Sequence, residues 1–307
     1  MIAVGGRSRT AGLRRPLSTG GLSTLVLALP MLLTFSYFAW WPMLRAGVLS
    51  LQETNLVTDA SWAGLDNFRR VLDDPLLWTA IKNTVWFTLL ALVFGYPIPI
   101  LLAIAMNELK RRKGLYSALA YLPVVVPPVA AILLWRVFYD AGKDGVFNTM
   151  LGWIGLGPYP WIQDQTWAMP SVVLLATWSA AGATVIIYLA AMRGIQTDLY
   201  EAAEVDGAGI VRKIWHVTLP QLRTVMFVTL ILQLIGTFQV FTEPFLLTDG
   251  GPADSTVTIL LLIYRYAFGA GGGGDYGAAT ALSLMLAAFL ALLSAIYFRV
   301  TRPWSSG

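Results

Sequence analysis

Six stretches of this 307-residue chain carry no Asp, Glu, Lys or Arg and are long enough to cross a bilayer: 22–44, 84–106, 115–135, 171–192, 224–242 and 276–298. A helix needs about 20 apolar residues to cross a hydrocarbon core about 30 Å thick. In lipid the backbone can be satisfied only within helices or closed barrels. The runs lack the period-two alternation of barrel strands, so helices are expected. Composition agrees, with 57% hydrophobic and 12% charged residues where a soluble domain carries about a quarter charged. The first run is too long for the apolar core of a signal peptide, and no small-residue cleavage site precedes the bulky Trp40-Trp41-Pro42. The expected fold is all-α: a six-helix membrane domain over 21–300, with tails at 1–20 and 301–307.

An even number of spans puts both termini on one side. With that side in the cytoplasm, the inside holds Arg7, Arg9, Arg14, Arg15, Lys110, Arg111, Arg112, Lys113, Arg193, Arg212, Lys213, Arg223, Arg299 and Arg302. Those are 14 of the 21 basic residues. Lys and Arg near helix ends are retained in the cytoplasm, so this orientation is the expected one. Trp40, Trp41, Trp78, Trp86, Trp135 and Trp167 fall near the expected outer ends, where amphipathic rings anchor at headgroup level.

The basic tail 1–20 is expected to be flexible and in reach of lipid headgroups. The turn 110–113 is a cytoplasmic staple. Outer segments cover 51–82, with room for a short helix, then 139–168 and 243–275, which includes an apolar stretch at 257–264 too short to span. Prolines interrupt two spans, Pro97 and Pro99 in the second and Pro123, Pro127 and Pro128 in the third. Each removes a backbone donor and clashes with the preceding turn. Such breaks are packing kinks or they line a path. No internal repeat is visible.

Several chemistries are excluded. The chain has no cysteine and one histidine, His216, so thiolate and histidine-rich metal sites are unavailable. His216 is expected to make an ordinary loop contact. There is no phosphate-binding Gly-x-x-x-x-Gly-Lys-Ser/Thr run, and Gly207-Ala208-Gly209 is followed by Arg212 where a dinucleotide fingerprint needs glycine. A secondary transporter would show charges buried in its spans and a repeat between halves. A membrane enzyme would need a catalytic constellation that these residues do not supply.

The most informative segment is 196–222, QTDLYEAAEVDGAGIVRKIWHVTLPQL, in the longest cytoplasmic loop, 193–223. Asp198 followed by Glu201 fits a capping box, and Glu201 suits the positive helix end. Ala202 and Ala203 permit close approach of another surface. Gly207 or Gly209 can stop the helix in the left-handed conformation. A second short helix is expected from Ile210 to about His216, with Pro220 at the start of the fifth span. The result is an amphipathic helix–turn–helix, which could also lie on the membrane surface.

This segment resembles the EAA loop of ABC importer permeases: Glu-Ala-Ala, three residues, Gly, nine residues, Ile, one residue, Leu-Pro. Here stand Glu201-Ala202-Ala203, Gly207 and Leu219-Pro220 at the matching distances, with Val217 in place of the usual isoleucine. The longer run from Tyr200 through Asp206 to Ala208 resembles the carbohydrate branch, the maltose and glycerol-phosphate type. So does Thr237-Phe238-Gln239-Val240-Phe241 followed by Leu247-Thr248-Asp249-Gly250-Gly251-Pro252. The likeness extends over roughly 25–300.

The resemblance implies a type I importer permease in the bacterial plasma (inner) membrane. It would work as one half of a pore, in a heterodimer with a second homologous permease subunit. Two ATP-binding subunits use the ATP, an external sugar-binding protein or lipoprotein delivers the solute, and this chain binds no cofactor. No nucleic-acid partner is expected. The EAA helix docks in a groove of the ATPase and acts as a lever, with Glu201, Ala202, Ala203, Asp206, Gly207, Leu219 and Pro220 as the coupling residues. The solute is a sugar or oligosaccharide, with a non-sugar solute such as glycerol phosphate as the alternative.

Polar residues within spans are the candidates for the substrate path. Gln233 and Thr237 lie four apart with Phe241 a turn further, on one helix face. Gln239 and Glu243 share an adjacent face. Helix–helix hydrogen bonding is the other reading of both glutamines, and Glu243 is expected at the outer interface with no special role. Trp178 and Tyr188 are candidates in the fourth span, followed by Ser179 and Thr184. Sugar stacking is the second reading of the outer tryptophans.

Overall fold

The structure is a computed structural model that describes residues 19–108, 113–269 and 274–305. The basic residues of the tail, Lys110, Arg111 and Arg112, and most of the glycine run at 271–274 lie outside the described residues. The chain divides into two units, Met1–Val48 and Leu49–Gly307. Helix α1 (Thr24–Leu49) accounts for most of what is described of the first.

The second unit opens with a small antiparallel pair, β1 (Gln52–Glu53) and β2 (Ser61–Trp62), and a short helix, α2 (Asp66–Asp73). Helix α3 (Pro75–Glu108) follows, capped by the Asp74 carboxylate, which accepts from Leu76 N, with Pro75 at its first position. Then come α4 (Lys113–Val125), α5 (Pro128–Phe138), the short α6 (Val146–Gly152) and the long α7 (Gln165–Met192). The chain continues with α8 (Thr197–Val205), α9 (Ile210–Phe238), α10 (Ile259–Phe268) and α11 (Tyr276–Ser305). Helices α1, α3, α7, α9 and most of α11 are each long and apolar enough to span, and α4 with α5 passes the same test as a pair bent by 103°. The protein is thus an all-helical membrane fold apart from its two-residue strands.

The prolines explain the irregularities. A π-helical turn at Ser36–Trp40 ends two residues before Pro42, one at Ala91–Gly95 two before Pro97, and one at Ile214–Thr218 two before Pro220. Proline offers no N–H and its ring presses on the carbonyl four residues back. A widened turn shifts the bonding to i→i+5, as in Tyr96 N donating to Ala91 O at 2.9 Å, and the helix continues. The third run has no such remedy. Pro127 precedes Pro128 and is pushed to an extended ψ of 135°, so the run is divided between α4 and α5.

Helix α7 is central, packing on α3, α4 and α9. Gly182 lets α4 approach so closely that a Cβ there would lie 2.3 Å from the Ala120 carbonyl oxygen. At one end an aromatic core joins Trp135, Tyr139 and Phe147 to Trp161 and Trp178. A second core packs α2, the start of α3, α10 and α11, and a third joins α3, α7 and the base of α9. Trp135, expected as an interface anchor, is only 6% exposed within the aromatic core, whereas Trp40, Trp41 and Trp78 are exposed. Position near a helix end did not distinguish the two cases; packing against α7 did.

Candidate functional site

The loop and the cleft are built around one helix. Helix α8 begins on Gln196, which makes no side-chain cap bond, and Asp198 sits inside its first turn. The capping box expected of Asp198 and Glu201 is therefore not formed. Gly207 ends the helix as expected, in the left-handed region at φ +74°. Its N–H donates to Glu204 O at 3.0 Å and Ala208 N–H donates to Ala203 O at 2.9 Å. That pair of bonds satisfies the last carbonyls and turns the chain sharply.

The helix that starts at Ile210 does not stop near His216. It runs on through the π turn and Leu219-Pro220 to Phe238 as α9. Pro220 lies inside a continuous helix because the widened turn accommodates it. Two bonds brace α8 on the base of α9: Tyr200 Oη with Thr218 Oγ1 at 3.0 Å, and Lys213 Nζ donating to Glu204 at 2.7 Å. Glu201, Ala202, Asp206 and Gly207 are exposed and Ala203 partly so. Val205, Ile210, Val211 and Trp215 add an exposed apolar surface beside them. His216 Nδ1 lies 3.0 Å from the Arg212 carbonyl oxygen, an ordinary local contact.

At the other end, α3, α7 and α9 enclose a cleft of about 620 Å³. Gln233, Thr237, Gln239 and Phe241 all line it. Gln233 Nε2 donates to Ala91 O at 3.0 Å, so it also makes a helix–helix bond, to the carbonyl at the start of the π turn in α3. Gly95 sits opposite, where a Cβ would lie 3.0 Å from Thr177 Oγ1 and 3.2 Å from Gln233 Nε2. Thr237 is buried and accepts from Thr88 Oγ1 at 3.1 Å. Trp178 stands in the aromatic core against Trp135. Tyr188 is fully buried, with its hydroxyl 2.6 Å from Thr229 Oγ1. Neither Trp178 nor Tyr188 lines the cleft.

Several lining residues escaped the sequence reading or were misplaced by it. Thr177 and Thr242 line the cleft, and so does Glu243. The four-residue spacing of Gln239 and Glu243 had no meaning as a helix face, because α9 ends at Phe238 and Gln239 leaves the helical conformation. Glu243 is half-buried rather than solvated at an interface. Burial pushes its carboxyl above the ordinary range, opposed only by its own backbone amide. Among the described residues, no group of three or more His, Cys, Asp or Glu could hold a metal ion.

A bundle of apolar helices with a cleft between them, one of whose walls continues into an exposed bracket, is the build of a transport permease. Residues 95–304 match the binding-protein-dependent transport system inner membrane component family, and the chain belongs to that family. It is 34% identical over 278 residues to the lactose transport system permease protein LacF of Rhizobium radiobacter, covering 89% of this chain and 92% of that one. It is 31% identical over 273 residues to the arabinooligosaccharides transport system permease protein AraP of Halalkalibacterium halodurans, covering 89% and 86%. A chain of the bacterial alginate ABC transporter, solved in complex with an alginate pentasaccharide-bound periplasmic protein, superposes with TM-score 0.80 at 28% identity, covering 93% and 96%.

Proposed function

We propose that this chain is the translocation subunit of an ATP-driven saccharide importer, moving its solute through the cleft between α3, α7 and α9. The observation that carries the reading is α9 itself. A single helix runs from the 193–223 loop to the cleft wall, so a displacement of α8 reaches Gln233 and Thr237 without an intervening joint. Glu201, Ala202, Ala203, Asp206 and Gly207 present the bracket, and Leu219 and Pro220 mark where the bracket becomes the span. The exposed apolar side chains of Val205, Ile210, Val211 and Trp215 suit a groove on a partner subunit. The chain supplies no nucleotide site. Two ATP-binding subunits hydrolyse ATP, and their closure favours one state of the spans through differential contacts with the bracket. A second homologous permease completes the pore, and an external binding protein delivers the solute.

The loop-bearing side, both termini included, faces the cytoplasm in this reading. The saccharide assignment is supported by the sugar and oligosaccharide transporters among the relatives and by the cleft lining. Its small apolar side chains, hydroxyls, amides and aromatic ring follow the usual pattern of a small-molecule site. The test is purification of the tagged chain from its native membrane. An ATP-binding subunit and a second permease should come with it, and vesicles of the assembly should take up saccharide only with ATP and binding protein. Uptake by the chain alone would overturn the proposal.

A further inference from the structure

The cleft has one ionisable side chain among its lining residues, Glu243. It lies beyond the end of α9, two residues after Phe241, whose ring also lines the cleft and stacks on Phe245 at 5.1 Å and 13°. The carboxylate is half-buried and, among the described residues, makes no salt bridge or hydrogen bond to another side chain. A separate hollow, lined in part by Phe245, holds Arg136 and Asp249. Arg136 donates to the Leu247 carbonyl and is not turned to Glu243. A partly desolvated carboxylate supported only by its own backbone amide is costly unless further donors reach it. The structure leaves that acceptor for whatever enters the cleft.

We propose that Glu243 is a specificity-determining residue: its carboxylate accepts hydrogen bonds from the hydroxyls of a neutral saccharide and turns away saccharides that carry carboxylates or phosphates. The proposal rests on the saccharide reading above. A neutral sugar supplies adjacent hydroxyl donors to the two carboxylate oxygens and an apolar C–H face to the Phe241 ring. An acidic sugar brings a second negative charge into a site whose lining has no cation, and like charges in a desolvated site repel strongly. The same repulsion argues against a phosphate ester as cargo.

The test uses the assembled transporter, with its second permease and ATPase subunits, in lipid nanodiscs. Lactose, maltose and trehalose are compared with their C6-oxidised uronic acid counterparts by saturation-transfer NMR. The wild type should bind neutral probes at least about tenfold better than acidic ones, the size set by a hydrogen bond to a charged group. Glu243→Gln should bring the two classes to near parity, and Glu243→Lys should reverse the preference. Co-purification of the partner subunits checks assembly, and the isosteric Gln variant decides the matter if the Lys variant does not assemble. Unchanged discrimination in an assembled Gln variant overturns the role of Glu243 and leaves the saccharide reading standing. No signal from any neutral probe on the wild type defeats the saccharide reading, and this proposal with it.

Discussion

At its α8 end, helix α9 starts on Gly209 with no side-chain cap, shows Ile210, Val211 and Trp215 to the outside, and widens into a π turn within its first turns. At its far end the chain enters the segment 248–258, where Thr256, Val257 and Thr258 are completely buried. Asn83 Nδ2 of α3 donates to the carbonyls of Asp254 and Val257 at 2.7 and 3.0 Å. Thr84 Oγ1 accepts from Ile259 N, and Thr258 Oγ1 donates to Val240 O at 2.8 Å. Arg265 binds Asp254 and the Asp249 carbonyl across the top. The α8 end is held by polar bonds to a small bracket and by the apolar packing of Leu219 and Leu222 against α3 and α7, the far end by a network of buried hydrogen bonds. We expect any displacement of α9 to be larger at the bracket than at the hydrogen-bonded far end, and the cleft lies beside that far end.

The strongest way to break this contrast is to remove Asn83. Asn83→Ala leaves the buried Val257 carbonyl without its donor, while the Asp254 carbonyl keeps Val257 N at 3.2 Å. Each unsatisfied group costs roughly 1–3 kcal/mol. The purified assembly should lose about 1–3 kcal/mol of stability by thermal or denaturant unfolding in detergent. An unchanged midpoint would mean that the far end is not fixed as described.

The next largest effect is expected at the bracket. Gly207 is left-handed, and a β-branched residue there pays about 1–2 kcal/mol of backbone strain. A Cβ at Gly207 meets nothing within 4 Å, so Gly207→Val perturbs the turn and not the packing. Membrane levels should stay normal by immunoblot while ATP-driven uptake falls severalfold or more. Wild-type uptake would remove the bracket from the path of coupling.

How far this contrast could be read in the sequence differs between the two ends. Freedom from charge defined the spans, and the spacing of Glu201, Gly207 and Pro220 marked the bracket, because both are local properties of the chain. The fixed end was hidden. Nothing in the sequence of 248–258 announces that Asn83, some 170 residues away, donates to it. Gln233 bonds to a carbonyl made available by a π turn in another helix. Glu243 reads as an interface residue until the end of α9 at Phe238 is known, since one helix terminus decides which way the next residues turn. Asp198 loses its expected capping role for the same kind of reason: the helix begins two residues earlier than the motif suggests.

A smaller effect sharpens the loose end. Tyr200 Oη and Thr218 Oγ1 form one neutral hydrogen bond between α8 and the π turn, and such a bond contributes about 0.5–1.5 kcal/mol. Tyr200→Phe and Thr218→Val should each reduce binding-protein-stimulated ATP hydrolysis a few-fold. The double variant should be no worse than either alone, since both remove the same contact. Fully additive losses would show that the two side chains act separately and that the brace does not carry the motion.

The smallest expected effect concerns pH at the fixed end. Burial raises the Glu243 carboxyl above the ordinary carboxylate range. The charged form is therefore lost, as pH falls, earlier than for an exposed glutamate. A protonated Glu243 no longer repels an acidic sugar, whose own exposed carboxyl stays ionised to lower pH. Discrimination against the uronic acid probes should therefore decline as pH falls, sooner than the titration of an exposed glutamate would give, and Glu243→Gln should show no such slope. No other lining residue titrates there, so the slope reports on Glu243. A slope that survives in the Gln variant would place the titrating group outside the cleft wall supplied by this chain, and the fixed end of α9 would then set the shape of the site without setting its charge.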